Sequence, residues 1–294
     1  MVFRHAWIFP VLSTLCAFIA FFVCYGIGVA RGTHYAWLPY ISDGGAVPPQ
    51  SCIFALFLNL HAVFMAVTVY LRHHQYTAFY SGYFNFTVHW RRFSIVAMIP
   101  GFAVSVGFLL VGNFPEGNVT QLWHAIGANL TFLNGVFYAC CQIVLAYKLK
   151  PWMTPLWLNH TRTGFIAGAS IAVIIHIVCA NAHPFVPKGA PKLEVPDNGI
   201  GLYKPGDPRY LNHIVVTCSE WILAIFFEVM FGSLAWELRD FNLEVKVTRK
   251  DEFRSEISDP KTTSLKVDAS STNVLVESNR QWSDGEVAVA DGQP

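Results

Sequence analysis

The chain has 294 residues, 53% of them hydrophobic and only 13% charged, with 20 Lys and Arg against 19 Asp and Glu. Soluble domains carry about 25% charged residues, so this composition, with a mean hydropathy of +0.40, points to a multi-pass membrane protein. The sequence offers no long run of like charges for DNA, so no nucleic-acid partner is expected, and the short connections before residue 237 exclude a separate soluble catalytic domain of ordinary size.

Six apolar stretches, at about 7–30, 51–71, 93–112, 121–147, 163–182 and 210–237, fill most of the chain. Each matches the ~20 residues that cross a ~30 Å hydrocarbon layer and is apolar around its whole circumference. The fold class is an all-α membrane protein, a six-transmembrane-helix bundle over residues 1–245. A disordered cytosolic tail over 246–294 follows, rich in Ser, Thr, Asp, Glu and Lys and poor in large apolar residues.

In chain order, Met-Val-Phe-Arg-His precedes an apolar run from 6 to about 30, longer than a signal-peptide core, so the first span is expected to be retained. The loop at 31–50 ends in PYISDGGAVPPQ, where Asp-Gly-Gly and Pro-Pro favour a compact turn. Here Pro39 and Pro49 stiffen a lid, and Asp43 accepts backbone hydrogen bonds within it. The segment from His73 to Arg92 is basic and aromatic and suits anionic lipid. Asn118-Val119-Thr120 is a possible glycosylation site in the third connection, and the Pro- and Gly-rich loop at 183–209 reads as an irregular cap.

Ionisable groups inside spans are costly and repay attention. They are His61, His124, His176, His213 and Glu220, all in the half of the bilayer nearer the lid loop. His213 and Glu220, seven residues apart, share a helix face at ~10 Å. Asn59, Asn129, Asn134, Thr217 and Ser219 extend the same polar seam. The seam reads either as interhelical hydrogen bonding or as a cavity for a lipid head group, ion or water. It lacks the spacing of a metal or catalytic site. Glu228 should pair with a basic group or be protonated, and Glu237 should be solvated beside Arg239 and Asp240.

The seven cysteines show no metal-ligand spacing. Cys24 and Cys52 fall near one membrane face, where pairing stands against a reading as small apolar residues. Trp37, Tyr40, Trp90, Trp123, Trp152, Trp157 and Trp236 sit near span ends, as an aromatic belt requires. Basic residues set the orientation. Arg4, Arg72, Arg91, Arg92, Lys148, Lys150, Arg162, Arg239, Lys246, Arg249, Lys250 and Arg254 lie on one side, and Arg31, Lys188, Lys192, Lys204 and Arg209 on the other. Both termini are therefore expected in the cytosol.

Three segments together resemble one family: LPYISDGGAVPPQSCIFALFLNL, VGNFPEGNVTQLWHAIGANLTF and LNHIVVTCSEWILAIFFEVMFGSLAWELRDF. With the six-span layout they resemble the DRAM family, the damage-regulated autophagy modulators, over about residues 7–245. The resemblance implies a six-pass protein of lysosomal, endosomal or plasma membranes that promotes autophagy or organises lipid-kinase complexes; more distant relatives remodel the lipid of GPI anchors. Carried onto this chain, the motif residues are Pro39, Tyr40, Ser42, Asp43, Pro49, Cys52, Asn59, Asn113, His124, Gly127, His213, Glu220, Trp221, Arg239, Asp240 and Phe241. No catalytic assignment or cofactor comes with them. The chain departs from many members in carrying Gly44-Gly45 where they have a Thr-Gly-Thr-like stretch.

The expected function is modulation of autophagy and lysosome behaviour, without catalysis, from a lysosomal or endosomal membrane. The expected partners are membrane lipids and membrane or cytosolic proteins. The alternatives are a plasma-membrane scaffold for phosphoinositide-kinase assembly and a lipid-handling enzyme or transporter using His61, His124, His176, His213 and Glu220.

Overall fold

The computed structural model describes residues 2–3, 5–35, 37–83, 86–116, 120–191, 200–245 and 274–278. The described residues contain six helical spans, Ile8–Ala30, Gln50–Tyr80, Val88–Asn113, Gln121–Lys148, Leu156–Ala182 and Tyr210–Leu238, each long and apolar enough to cross a bilayer. The protein is therefore a multi-pass, all-α membrane protein. The first span joins α1 (Ile8–Phe18) to α2 (Cys24–Ala30) through a π-helical turn, Ile19–Val23. Helices α3 (Gln50–Tyr80), α4 (Val88–Asn113), α5 (Gln121–Lys148) and α6 (Leu156–Ala182) follow. Helix α7 (Tyr210–Gly232) continues after a short turn into α8 (Ala235–Leu238).

Proline punctuates these helices. Helix α3 starts behind Pro49 and α6 behind Pro155, while α4, α5 and α6 stop just before Pro115, Pro151 and Pro184, where the residue ahead of the ring is driven out of helical geometry. The backbones of α4 and α5 come very close at Gly107 and Gly127. A Cβ on Gly127 would lie 2.7 Å from Leu110 Cβ and 2.9 Å from the Gly107 carbonyl oxygen. Small residues at a crossing permit this approach, which lets helices associate within lipid. The main core gathers Phe21, Leu58, Met65, Val104, Phe227 and Phe231 from α3, α4, α7 and the π-turn.

The first and last described segments lie together at one end of the bundle. Strand β1 (Val2–Phe3) pairs antiparallel with β2 (Phe241–Val245), Val2 facing Glu244, and β2 pairs with β3 (Val274–Ser278), Phe241 facing Ser278. This is called the terminal face. The opposite end, with the loops at 31–49 and 183–209, is the lid face. The remainder of the tail and Asn118 fall outside the described residues.

Two expectations need correction, and one alternative left open is decided. First, α3 runs on to Tyr80 rather than ending near 71, and α6 begins at Leu156 rather than 163. Arg72 and Arg162, expected in connections, are helical and buried because Glu237 holds both, at 3.6 Å from Arg72 and 2.7 Å from Arg162. Glu237 is accordingly 1% exposed rather than solvated. Second, of the two readings left open for Cys24 and Cys52 the unpaired one holds: both are free, the buried Cys24 thiol donates to the Gln50 carbonyl at 3.2 Å, and Cys52 is exposed. Third, Tyr40 points inward rather than anchoring at an interface, whereas Trp37, Trp123 and Trp157 are exposed as expected.

Candidate functional site

The lid is a short 3₁₀ turn, Ser42–Gly45, seated on the bundle by its family-motif residues. Asp43 Oδ2 accepts the Tyr40 N–H at 3.0 Å, closing the turn on itself. Two bonds then fasten the turn to α7: the Ile41 N–H donates to Glu220 Oε2 at 3.2 Å, and Trp221 Nε1 donates to the Pro39 carbonyl at 3.0 Å. The Ser42 hydroxyl donates to Glu116 Oε2 at 3.0 Å, reaching the α4–α5 connection. Gly44-Gly45 permits the flat approach, since a Cβ on Gly45 would lie 2.6 Å from the Phe54 ring of α3.

Beneath the lid, α5 and α6 diverge. Near the terminal face they are joined by the Tyr147 hydroxyl and His160 Nδ1 at 2.7 Å, and Ala139 packs on Ile166 farther along. Toward the lid face the contact ends at Phe132 and His176, whose rings lie 5.3 Å apart. Beyond them a cleft opens between α5, α6 and α7, with a volume of ≈ 390 Å³. His124, His176, His213, Glu220, Tyr40 and Ser42 all line it. Its rim includes Leu133 and Ile177, exposed apolar residues on the lipid-facing surface.

The histidine rings are held in fixed orientations. His124 Nδ1 lies 2.9 Å from the Phe114 carbonyl, which can only accept, so that nitrogen carries the proton. His176 Nδ1 faces the Val216 carbonyl at 3.4 Å. His213 is sandwiched, with Tyr203 stacked at 4.0 Å and Tyr40 edge-on at 5.3 Å. Carboxylates dominate the charge around the lid. Burial, and then the charge of Glu116, push the Asp43 carboxyl well above its ordinary range against the opposing Tyr40 N–H. Burial and the neighbouring Glu220 push the Tyr40 phenol up as well. Among the described residues no group of three His, Cys, Asp or Glu is placed to hold a metal ion.

Of the polar seam expected within the membrane, four members meet in the cleft and His61 does not. It faces α1 and α7 instead, with Nδ1 2.9 Å from the Ser13 carbonyl and Nε2 3.5 Å from Glu228 Oε1. Asn59 also stays outside, exchanging amide hydrogen bonds with Asn113 at 2.7 and 3.2 Å to tie α3 to α4. Pro49 caps α3, and Cys52 lies on that helix away from the cleft. Glu116, Tyr203, Arg209 and Asn212 line the cleft without having been expected there. Glu116 carried a visible signal, as the single acidic residue between Asp43 and Glu194.

A six-span helical bundle with a lidded polar cleft at one end defines a class of multi-pass membrane proteins. The model of the Frag1/DRAM/Sfk1/Cwh43P N-terminal domain matches residues 5–241, covering the lid, the cleft and every span. The chain is 31% identical to the human DNA damage-regulated autophagy modulator protein 1 over 237 residues, 80% of this chain and 92% of that one. It is 30% identical to the Mus musculus protein of the same name over 249 residues, 83% and 95% of the two chains. Transmembrane protein 150A of Xenopus laevis is 26% identical over 201 residues, 68% of this chain and 61% of that one. No solved structure matches. The chain belongs to the Frag1/DRAM/Sfk1 family, in its DRAM branch.

Proposed function

We propose that this protein modulates autophagy from a lysosomal or endosomal membrane through lipid and protein contacts, without catalysis. In this reading the terminal face lies in the cytosol and the lid face in the lumen. The observation that carries it is the cleft itself, ≈ 390 Å³ of polar space beside a lipid-facing apolar rim, closed above by the family-motif lid. Such a site admits a lipid head group sideways from the bilayer while the acyl chains stay outside. Its histidines support a binding rather than a catalytic role, since His124 and His176 each address a backbone carbonyl. The names of the relatives support the link to autophagy. Exposed Arg92, Lys148 and Lys150 at the terminal face support the orientation.

The test is a cleft-filling variant, Ala180→Trp, on the α6 wall. Cells lacking the protein should recover autophagic flux with the wild type and not with the variant. Both should insert and reach lysosomes, and native mass spectrometry should find phospholipid on the wild type alone. Full rescue by a lipid-free variant removes the lipid reading. The same exposed basic side chains favour a second reading, a plasma-membrane scaffold for phosphoinositide-kinase assembly. A tagged protein found at the cell surface rather than on lysosomes would select it.

A further inference from the structure

Midway through the bundle lies a second polar group that the lidded cleft does not use. His61 of α3 is 0% exposed and Glu228 of α7 is 1% exposed. The His61 Nδ1 must donate to the Ser13 carbonyl at 2.9 Å, because a carbonyl only accepts. The other ring nitrogen, Nε2, then faces Glu228 Oε1 at 3.5 Å, and neither this nitrogen nor either Glu228 carboxylate oxygen has a hydrogen-bond partner. With no proton between them, a nitrogen lone pair confronts a carboxylate and leaves an uncompensated charge inside the membrane. With one proton, the pair is neutral and hydrogen-bonded.

This group borders open space on one side. Glu228 lines a smaller cavity of ≈ 60 Å³, walled mostly by apolar side chains such as Phe54, Leu58 and Phe227, with Ser42, His124 and Glu220 among its few polar groups, and roomy enough for water beside them. Thr131, whose hydroxyl has no hydrogen-bond partner, lines it too. Ser42, His124, Phe132 and Glu220 wall both this cavity and the lidded cleft, so a single layer of side chains separates the two spaces. Toward the terminal face Met65, Val69 and Phe231 seal the core, each no more than 1% exposed.

We propose that His61 and Glu228 form a proton-binding site in the membrane interior, loaded from the lid face through the two cavities. Loading adds one proton and displaces nothing: the Glu228 carboxylate becomes an acid whose O–H points at His61 Nε2. The groups facing the pair are accounted for on each element. Ser13 of α1 meets the His61 ring and backbone, Thr14 of α1 donates to the Glu228 carbonyl at 3.2 Å and also faces its carboxyl, and Phe108 of α4 packs edge-on to His61 at 4.3 Å. Glu220 of α7 and His124 of α5 stand above it in the cavity wall. Below, Arg72, Arg162 and Glu237 are engaged with one another. The inference is independent of the autophagy reading, because it concerns only the access of protons to a buried pair.

An apolar carbodiimide tests it on the wild-type protein, because this reagent adds to a carboxylic acid and not to a carboxylate. The full chain is reconstituted in oriented liposomes with the pH on each side set separately, treated with dicyclohexylcarbodiimide and mapped by peptide mass spectrometry. Label on Glu228 should fall several-fold as lid-side pH rises from about 5 to about 9, a window that reaches buried acids. It should ignore terminal-side pH. Glu228→Gln should remove that adduct and leave any on Glu220. No label on Glu228, label that ignores lid-side pH, or label that follows terminal-side pH would each overturn the proposal.

Discussion

Glu237 shows what a carboxylate needs at the end of a membrane-spanning helix. Arg162 grips it with both terminal nitrogens at 2.7 and 2.8 Å, Thr154 donates at 2.6 Å, and Arg72 approaches to 3.6 Å. Arg72 in turn is shared among Gln75, Tyr76 and Gln142. Removing the carboxylate leaves two buried guanidinium groups facing each other, and breaking a buried pair in this way costs about 3–5 kcal/mol. Glu237→Ala should therefore lower the unfolding free energy read from detergent titrations by that amount. Arg162→Lys should fall between the two, since an ammonium cannot replace a two-pronged contact. The network was illegible in the chain: Glu237 stands beside Arg239 and Asp240, which form their own exposed pair at 3.8 Å. Its true partner Arg162 is 75 residues away. Local sequence shows a neighbour, not a contact across helices. His61 was misplaced for the same reason: its depth followed from helical rise, but rotation about the helix axis was open.

At the scale of elements, spans were legible because about 20 apolar residues leave few alternatives, but the end of α3 and the start of α6 were not, because both helices run on through polar and basic residues past the apolar core. The lid was legible as a turn, though not its attachment to Glu220 and Trp221 of α7. That attachment gives the lid a pH dependence. Burial raises the native Asp43 carboxyl above its unfolded value, so the docked lid favours the protonated form. Its stability contribution is full below the unfolded value of about 4 and is lost as pH rises toward the elevated native one. Buried His34 acts oppositely: its native value is depressed by burial, so its contribution is lost as pH falls below about 6.5. Subtracting an Asp43→Asn series isolates the first effect. Hydrogen exchange across residues 39–47 should slow in the wild type, relative to Asp43→Asn, as pH falls from about 7 to about 4. Parallel curves would show that Asp43 does not couple the lid to pH.

The whole molecule is fastened at both ends: the lid holds α7 at one face, and Glu237 ties α8 to α3 and α6 at the other. The terminal sheet adds β3 as an edge strand on β2 that also approaches α3, and small strand pairings contribute marginally in water. The last tail-proximal residue joining a core cluster is Leu243, against Leu71 and Leu238. Two truncations separate these contributions. Ending the chain after Val245 removes β3 and keeps Glu237, so the protein should insert and melt within about 1 kcal/mol of the full length. Ending it after Leu234 keeps α7 but shortens the sixth span, deleting α8 and β2 with the carboxylate between Arg72 and Arg162 and the buried Leu238 and Phe241. That protein should lose more than the about 3–5 kcal/mol of Glu237→Ala, because buried Leu238 and Phe241 go with the carboxylate, and Glu237→Ala combined with Arg162→Met should be less than additive because the two break one network. Thermal melting in nanodiscs reads all three. A large loss on cutting after Val245 would move the fastening of the terminal face from the buried ion pairs to the sheet.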